Sequence, residues 1–222
     1  MVAAVVSGML GLLVVCTSNH DRAPSVSFSQ NSGAPSTSAQ QTTNSTTEKT
    51  PSPQFGGREL VESRESTYNN IYVYRIGTYF SLTFGQNRNL YEESRFNTAD
   101  DRELPLSYAQ FMTASLIYPG KVNKLLEIGS GGGRTAEYIH LFLPEVQVTT
   151  VELDPAVVEL SHKYFGVKDG PNFHMIARDG RMFLAGSKDK YDVILIDAYR
   201  GPFVPFHLLT KEFYQLVRAH LA

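Results

Sequence analysis

The chain has 222 residues, 20 basic and 22 acidic, and a net charge of −2; no Lys/Arg run marks a nucleic-acid or anionic-membrane footprint. The length allows one domain with additions. A single cysteine, Cys16, excludes an intrachain disulfide and argues against a cysteine-based metal site.

Residues 1–16, MVAAVVSGMLGLLVVC, are apolar and uncharged. The run is shorter than the roughly 20 residues of a membrane helix. It also lacks the positive residues that precede a secretory core. The expectation for residues 1–22 is a signal or membrane anchor, with the end of a larger membrane region or a plain hydrophobic tail as the alternatives. A chain membrane-associated through its N-terminus and otherwise cytoplasmic would follow. Residues 23–57 are rich in Ser, Thr, Gln, Asn, Pro and Gly. They offer too little to bury to offset their ordering entropy, which predicts a flexible linker.

Order is expected from Glu59. Residues 58–118 read as a small β-rich subdomain. Within it, Asn70–Phe84 alternates around Gly77 and predicts a β-hairpin. Leu106–Tyr118 predicts a helix, ended by Pro119 and Gly120.

Residues 119–222 alternate strand and helix. Strands are expected at Lys124–Ile128, Val146–Leu153, Asn172–Ala177 and Tyr191–Ile196. Helices are expected at Gly132–Leu143, after the Asp154-Pro155 start signal, at Arg181–Ala185 and at Leu208–Leu221. Apolar strands spaced by helices predict an α/β fold with a parallel, Rossmann-like sheet.

Four features on that frame carry chemistry. EIGSGGG, with Glu127, Gly129, Gly131 and Gly133, follows the first strand and opens a helix. Its glycines allow a sharp turn and a close ligand approach. Arg134 stands where a dinucleotide fingerprint wants a small residue, so the loop suits an S-adenosylmethionine-type ligand, which has no pyrophosphate. Glu152, ending the second strand in VELDP, is placed to accept from both ribose hydroxyls. Asp179, in ARDGR, is placed to accept from an adenine amino group, or simply forms an Asp-Gly turn. Asp197 ends the fourth strand, where ligands of such sheets bind. His140 and His162 lack metal-ligand spacing, so no metal is expected. His207 reads as packing or capping the last helix, and Tyr91, Glu92 and Glu93 carry no functional signal.

Together LLEIGSGGG, VTTVELDPAVVELSHKYFG, ARDGR and YDVILIDAYRGPFVPFHLLTKEFY resemble the spermidine synthase (polyamine aminopropyltransferase) family, over about residue 59 to the end. The resemblance is closest to a divergent branch often fused behind membrane segments. It implies the class I S-adenosylmethionine-dependent methyltransferase fold behind a small β-rich piece. It implies decarboxylated S-adenosylmethionine as co-substrate and an amine as acceptor. It also implies that Glu152 binds ribose, Asp179 binds adenine, Asp197 is the base and Tyr108 lies on the substrate side.

Three departures bear on that expectation. The family's loop carries an Asp that helps hold the amine, and Gly132 stands there. The family's D-x-x-D after the fourth strand has its second Asp replaced by Arg200, on the substrate side. Each lost hydrogen bond to a charged amine costs about 1.5–3 kcal/mol, which weakens diamine capture. The family also continues with further strands after a Pro-Gly-Gly turn, so the nucleotide domain is expected without its C-terminal strands and with an open sheet edge. A methyltransferase using intact S-adenosylmethionine on another nucleophilic acceptor is the rival reading. A non-catalytic relative is the second rival. A homodimer is the assembly expected, and nucleic acid is not an expected partner.

Overall fold

The computed structural model describes residues 2–7, 12–17, 57–85, 92–199 and 203–222. Most of the expected linker, all of residues 23–56, and Arg200 lie outside the described residues.

The parallel core is built from β7 (Lys124–Ile128), β8 (Gln147–Glu152), β9 (Phe173–Ala177) and β10 (Val193–Ile196). Pairing is parallel from β10 to β7, β7 to β8 and β8 to β9. The strand period of two sends alternate side chains to opposite faces. Leu125, Val193 and Leu195 join one buried cluster with Ala136 and Ile139 of α2 (Arg134–Phe142). Leu126, Ile128, Ile194 and Ile196 join a second with Leu184 of α4 (Gly180–Gly186) and Phe213 and Val217 of α5 (Lys211–Ala219). Helices therefore cover both faces, which is why these strands are apolar throughout. The chain moves outward through β7, β8 and β9, then returns to place β10 on the other side of β7. That reversal is the switch point, where a cleft opens at the carboxyl ends of the strands.

The small β-rich piece is larger than the hairpin expected. β4 (Asn70–Ile76) and β5 (Tyr79–Phe84) form that hairpin, turning at Gly77 with φ 59°. β3 (Glu59–Glu65) and β6 (Ser94–Asn97) flank it to make a four-stranded antiparallel sheet. Ile71, Val73, Leu82 and Phe96 pack on Val157, Leu160 and Phe165, which belong to α3 (Pro155–Tyr164) and the residue after it. Polar contacts rim this apolar joint. Lys163 Nζ and Tyr164 Oη both donate to Glu62 at 2.7 Å. These two bonds hold the Glu62 carboxyl down to about 2.

Two helices differ from expectation. The Leu106–Tyr118 helix is α1 (Ser107–Thr113) followed by a tighter 3-10 turn, Ala114–Ile117. Buried Ser115 donates to the Met112 carbonyl at 2.7 Å, a local bond that competes with the α-helical ladder. The last helix begins at Lys211 rather than Leu208, because Thr210 Oγ1 accepts from Phe213 N at 3.2 Å and caps it.

The N-terminal apolar run takes strand form. β1 (Val2–Ser7) and β2 (Leu12–Thr17) pair antiparallel, and β2 pairs antiparallel with β10. The β10 edge expected to be open is thus paired. Among the described residues no helix is long and apolar enough to cross a membrane.

Phe165, wholly buried between the β-rich piece and the parallel domain, is the test of their joint. Phe165→Ala should cost about 3–5 kcal/mol, measured by urea unfolding; a cost below about 1 kcal/mol would mean the joint bears little of the stability.

Candidate active site

Backbone conformation sets the glycine loop. Gly129, Gly131 and Gly133 have φ of 83°, 49° and 71°, a region that side chains bearing Cβ disfavour. A Cβ on Gly129 would lie 2.5 Å from Ala198 Cα and 2.7 Å from the Asp197 carbonyl carbon. Gly129 therefore lets the end of β7 touch the chain leaving β10, and Asp197 N donates to the Ile128 carbonyl at 2.8 Å. Gly133 serves a different purpose from the ligand contact expected of it. It caps α2, and a Cβ there would press on Val167 Cγ2 at 2.9 Å, away from the cleft.

Glu152 ties the loop to the second strand. Its Oε2 accepts from Ser130 N at 3.2 Å and Gly131 N at 3.1 Å, and its Oε1 accepts from Asp154 N at 3.0 Å. A carboxylate has about four lone-pair sites. Three are filled by the backbone, and acceptor capacity remains on the side facing the cleft.

A cleft of about 540 Å³ opens above these residues, a size suited to a nucleoside ligand. It gathers Tyr108, Gly129, Gly131, Glu152, Asp179 and Asp197 from the residues expected in a site. Asp179 caps α4 by accepting from Met182 N at 2.8 Å. Its other oxygen lies 3.1 Å from His207 Nε2. His207 thus lines the cleft beside Asp179, and Thr210, not His207, caps the last helix. Tyr108 Oη donates to the Glu93 carbonyl at 2.6 Å.

Glu127 departs from its expected role in ligand contact. It is 1% exposed, does not line the cleft and accepts from Thr150 Oγ1 at 2.6 Å. Burial pushes its carboxyl up to about 8, so it is neutral at pH 7.

Glu93, which carried no signal in the sequence, lines the cleft. Burial, with the nearby Glu152 charge, pushes its carboxyl up to about 7. Asp197 is pushed well above the usual aspartate range by burial and then by Glu127, Glu93 and Glu152. The cleft is therefore rich in carboxyl groups, which cannot all ionise without a cation among them. Among the described residues no cluster of side chains suits a metal ion.

Two variants test this arrangement. Gly129→Ala should destabilise by roughly 2–5 kcal/mol, from a left-handed backbone plus overpacking, read by chemical denaturation. Glu127→Gln tests the buried neutral acid. A carboxyl raised to about 8 when folded costs stability as pH rises from the unfolded value of 4.5 through the folded one. The variant should gain on the parent at pH 8 relative to pH 5, with about 2–4 °C in Tm for each kcal/mol recovered. An equal Tm difference at both pH values would show that Glu127 does not stay protonated.

The spermine/spermidine synthase domain matches residues 111–222. A polyamine aminopropyltransferase of Vibrio vulnificus is 29% identical over 163 residues, covering 72% of this chain and 54% of that protein. A probable polyamine aminopropyl transferase of Bifidobacterium longum is 32% identical, covering 75% of this chain and 36% of that protein. The chain thus spans about half or less of the length of these relatives. A probable spermidine synthase of Corynebacterium glutamicum has the same fold, with a TM-score of 0.65 at 21% identity over 73% of this chain and 61% of that one. With its glycine loop, second-strand acid and fourth-strand acid in the positions described, the chain belongs to the spermine/spermidine synthase domain family.

Proposed function

We propose that this chain binds decarboxylated S-adenosylmethionine, or a related nucleoside sulfonium, and transfers its aminopropyl group to an amine, with Asp197 as base. The observation that carries the reading is the placement of Asp197. It faces a nucleoside-sized cleft at the switch point, against the glycine loop and across from Glu152. Glu152 retains acceptor capacity for a ribose hydroxyl. Asp179, with two of its acceptor sites used by Met182 N and His207, retains acceptor capacity for an adenine amino group.

The chemistry follows from the charges. A free alkyl amine has a pKa near 10.4, like lysine, and is protonated at neutral pH. It must shed a proton to become a nucleophile. The deprotonated nitrogen attacks the carbon next to the sulfonium, the C–N bond forms, and the C–S pair returns to sulfur. Methylthioadenosine leaves, and Asp197 holds the amine proton. Burial and neighbouring acids raise the proton affinity of Asp197 well above the ordinary aspartate range. The sulfonium charge lowers its proton affinity and readies it as a base. Positioning in the cleft supplies much of the remaining barrier reduction.

Methyl transfer is the second reading, favoured by Gly132. No carboxylate stands there to hold an amine, and a Cβ at that position would meet Ser94 Cβ at 2.7 Å. The two readings differ in the preferred nucleoside. Intact S-adenosylmethionine carries a carboxylate that the Glu93, Glu152 and Asp197 groups would repel. Calorimetric titration should therefore rank decarboxylated S-adenosylmethionine above the intact form. The opposite ranking would move the assignment to methyl transfer.

Asp197→Asn should lower the aminopropyl-transfer rate about 10²–10⁴-fold while methylthioadenosine still binds. In the parent, kcat/KM should fall as pH drops through the raised proton affinity of Asp197, at a pH above the ordinary aspartate range. A rate flat down to the ordinary aspartate range would remove Asp197 as the base.

A further inference from the structure

We infer that Glu93 anchors the ammonium group of the acceptor, in place of the acid that the glycine loop lacks at position 132; this rests on the aminopropyl-transfer reading. Position 132 has no room for a side chain. A Cβ there would lie 2.7 Å from Ser94 Cβ and 3.0 Å from Phe165 Cδ1, and Gly132 N donates to Ser94 Oγ at 2.8 Å. Ser94 opens β6, and the residue before it is Glu93. The strand that closes the loop to an acid therefore carries an acid of its own into the same cleft.

The backbone of Glu93 is fixed on both sides. Its N–H donates to the Leu82 carbonyl at 2.9 Å, and its carbonyl accepts from Tyr108 Oη at 2.6 Å. The side chain is what remains to act. Neighbouring Glu92 is neutralised by Arg95, whose Nε donates at 2.9 Å. The Glu93 side chain has no hydrogen bond or ion pair among the described residues. Among the described residues the titratable groups facing it are Glu152, Asp197 and the Tyr108 phenol, and none is a cation. Among the described residues lining the cleft, the basic side chain is His207, which is engaged with Asp179. Among the described residues nothing supplies Glu93 with a positive partner, and a bound cation would. Decarboxylated S-adenosylmethionine brings a sulfonium and its own ammonium, and the charged end of the acceptor brings a further positive charge; Asp197 and Glu93 are among the acids that face them. Asp197 takes the proton of the attacking nitrogen, and Glu93 holds the charged end.

The full chain, saturated with methylthioadenosine, is titrated calorimetrically with 1,4-diaminobutane at pH 7 in two buffers of different ionisation enthalpy. Because the free Glu93 carboxyl titrates near 7, ammonium binding should release part of a proton. Glu93→Gln should weaken the diamine about 10–100-fold, reduce that proton release, and leave methylthioadenosine affinity within about twofold. Glu93→Asp should recover part of the loss. Unchanged methylthioadenosine binding in the variant also reports that it is folded. Diamine affinity indifferent to Glu93→Gln overturns the inference alone, as does a parent complex that takes no diamine. A parent chain that fails to bind methylthioadenosine overturns the transferase reading and the inference with it.

Discussion

The carboxylate of Glu152 holds the site together. It ends β8, reaches back across the sheet and accepts from two N–H groups of the glycine loop and one at the start of α3. Without an acceptor, those donors would be buried and unpaired, each costing about 1–3 kcal/mol. The loop therefore takes the shape that Glu152 permits. That shape brings Gly129 against the Asp197–Ala198 backbone, an approach open only to a residue without Cβ. The position of Asp197 is thus decided by a carboxylate on a neighbouring strand and by an absent methyl group. Mutations far from any reacting atom act on the site through this path.

The same corner joins the two halves of the molecule. Asp154 caps α3 by accepting from Ala156 N at 3.0 Å and also accepts from Ser66 Oγ of the β-rich piece. Phe165 plugs the interface one helix later, and Glu62 receives Lys163 and Tyr164 at its rim. The β-rich piece is consequently a wall of the cleft rather than an appendage. It supplies Glu93 and, through Ser94, the contact that closes position 132.

The cleft is poorly arranged for stability alone. Glu93, Glu152 and Asp197 face a shared enclosed space, with buried Glu127 behind them, and burial raises the proton affinity of each. Keeping them uncharged, or charged without partners, costs folding free energy. A binding site for a sulfonium and an ammonium has reason to carry that cost, because the ligand charges relieve it when they arrive. In the proposed transfer, cation binding and the folding cost share one origin, namely carboxyl groups gathered in one enclosed space.

Much of this was legible in the sequence. Runs such as YDVILI, apolar at nearly every position, belong to strands buried on both faces, and their spacing by helices fixes a parallel sheet. The register of Glu152, Asp179 and Asp197 at strand ends follows from that, since a strand end is a local property. Glycines at 129, 131 and 133 mark a turn for the same reason, although only the packing separates Gly129, which meets Asp197, from Gly133, which meets Val167. Glu127 and Glu93 show the limit. Glu127 stands between apolar Leu126 and Ile128 and is buried against Thr150, whereas Glu93 stands between polar Glu92 and Ser94 and opens into the cleft. The polar surroundings of Glu93 mark a solvent face and give no sign of the cleft, because burial depends on what the chain places opposite. For Glu93 those are Glu152 and Asp197, at the ends of two strands about 60 and 100 residues on. Local periodicity determined the elements and the strand-end acids. The tertiary structure decided which acids share a space, because electrostatic coupling follows distance through space and not separation along the chain.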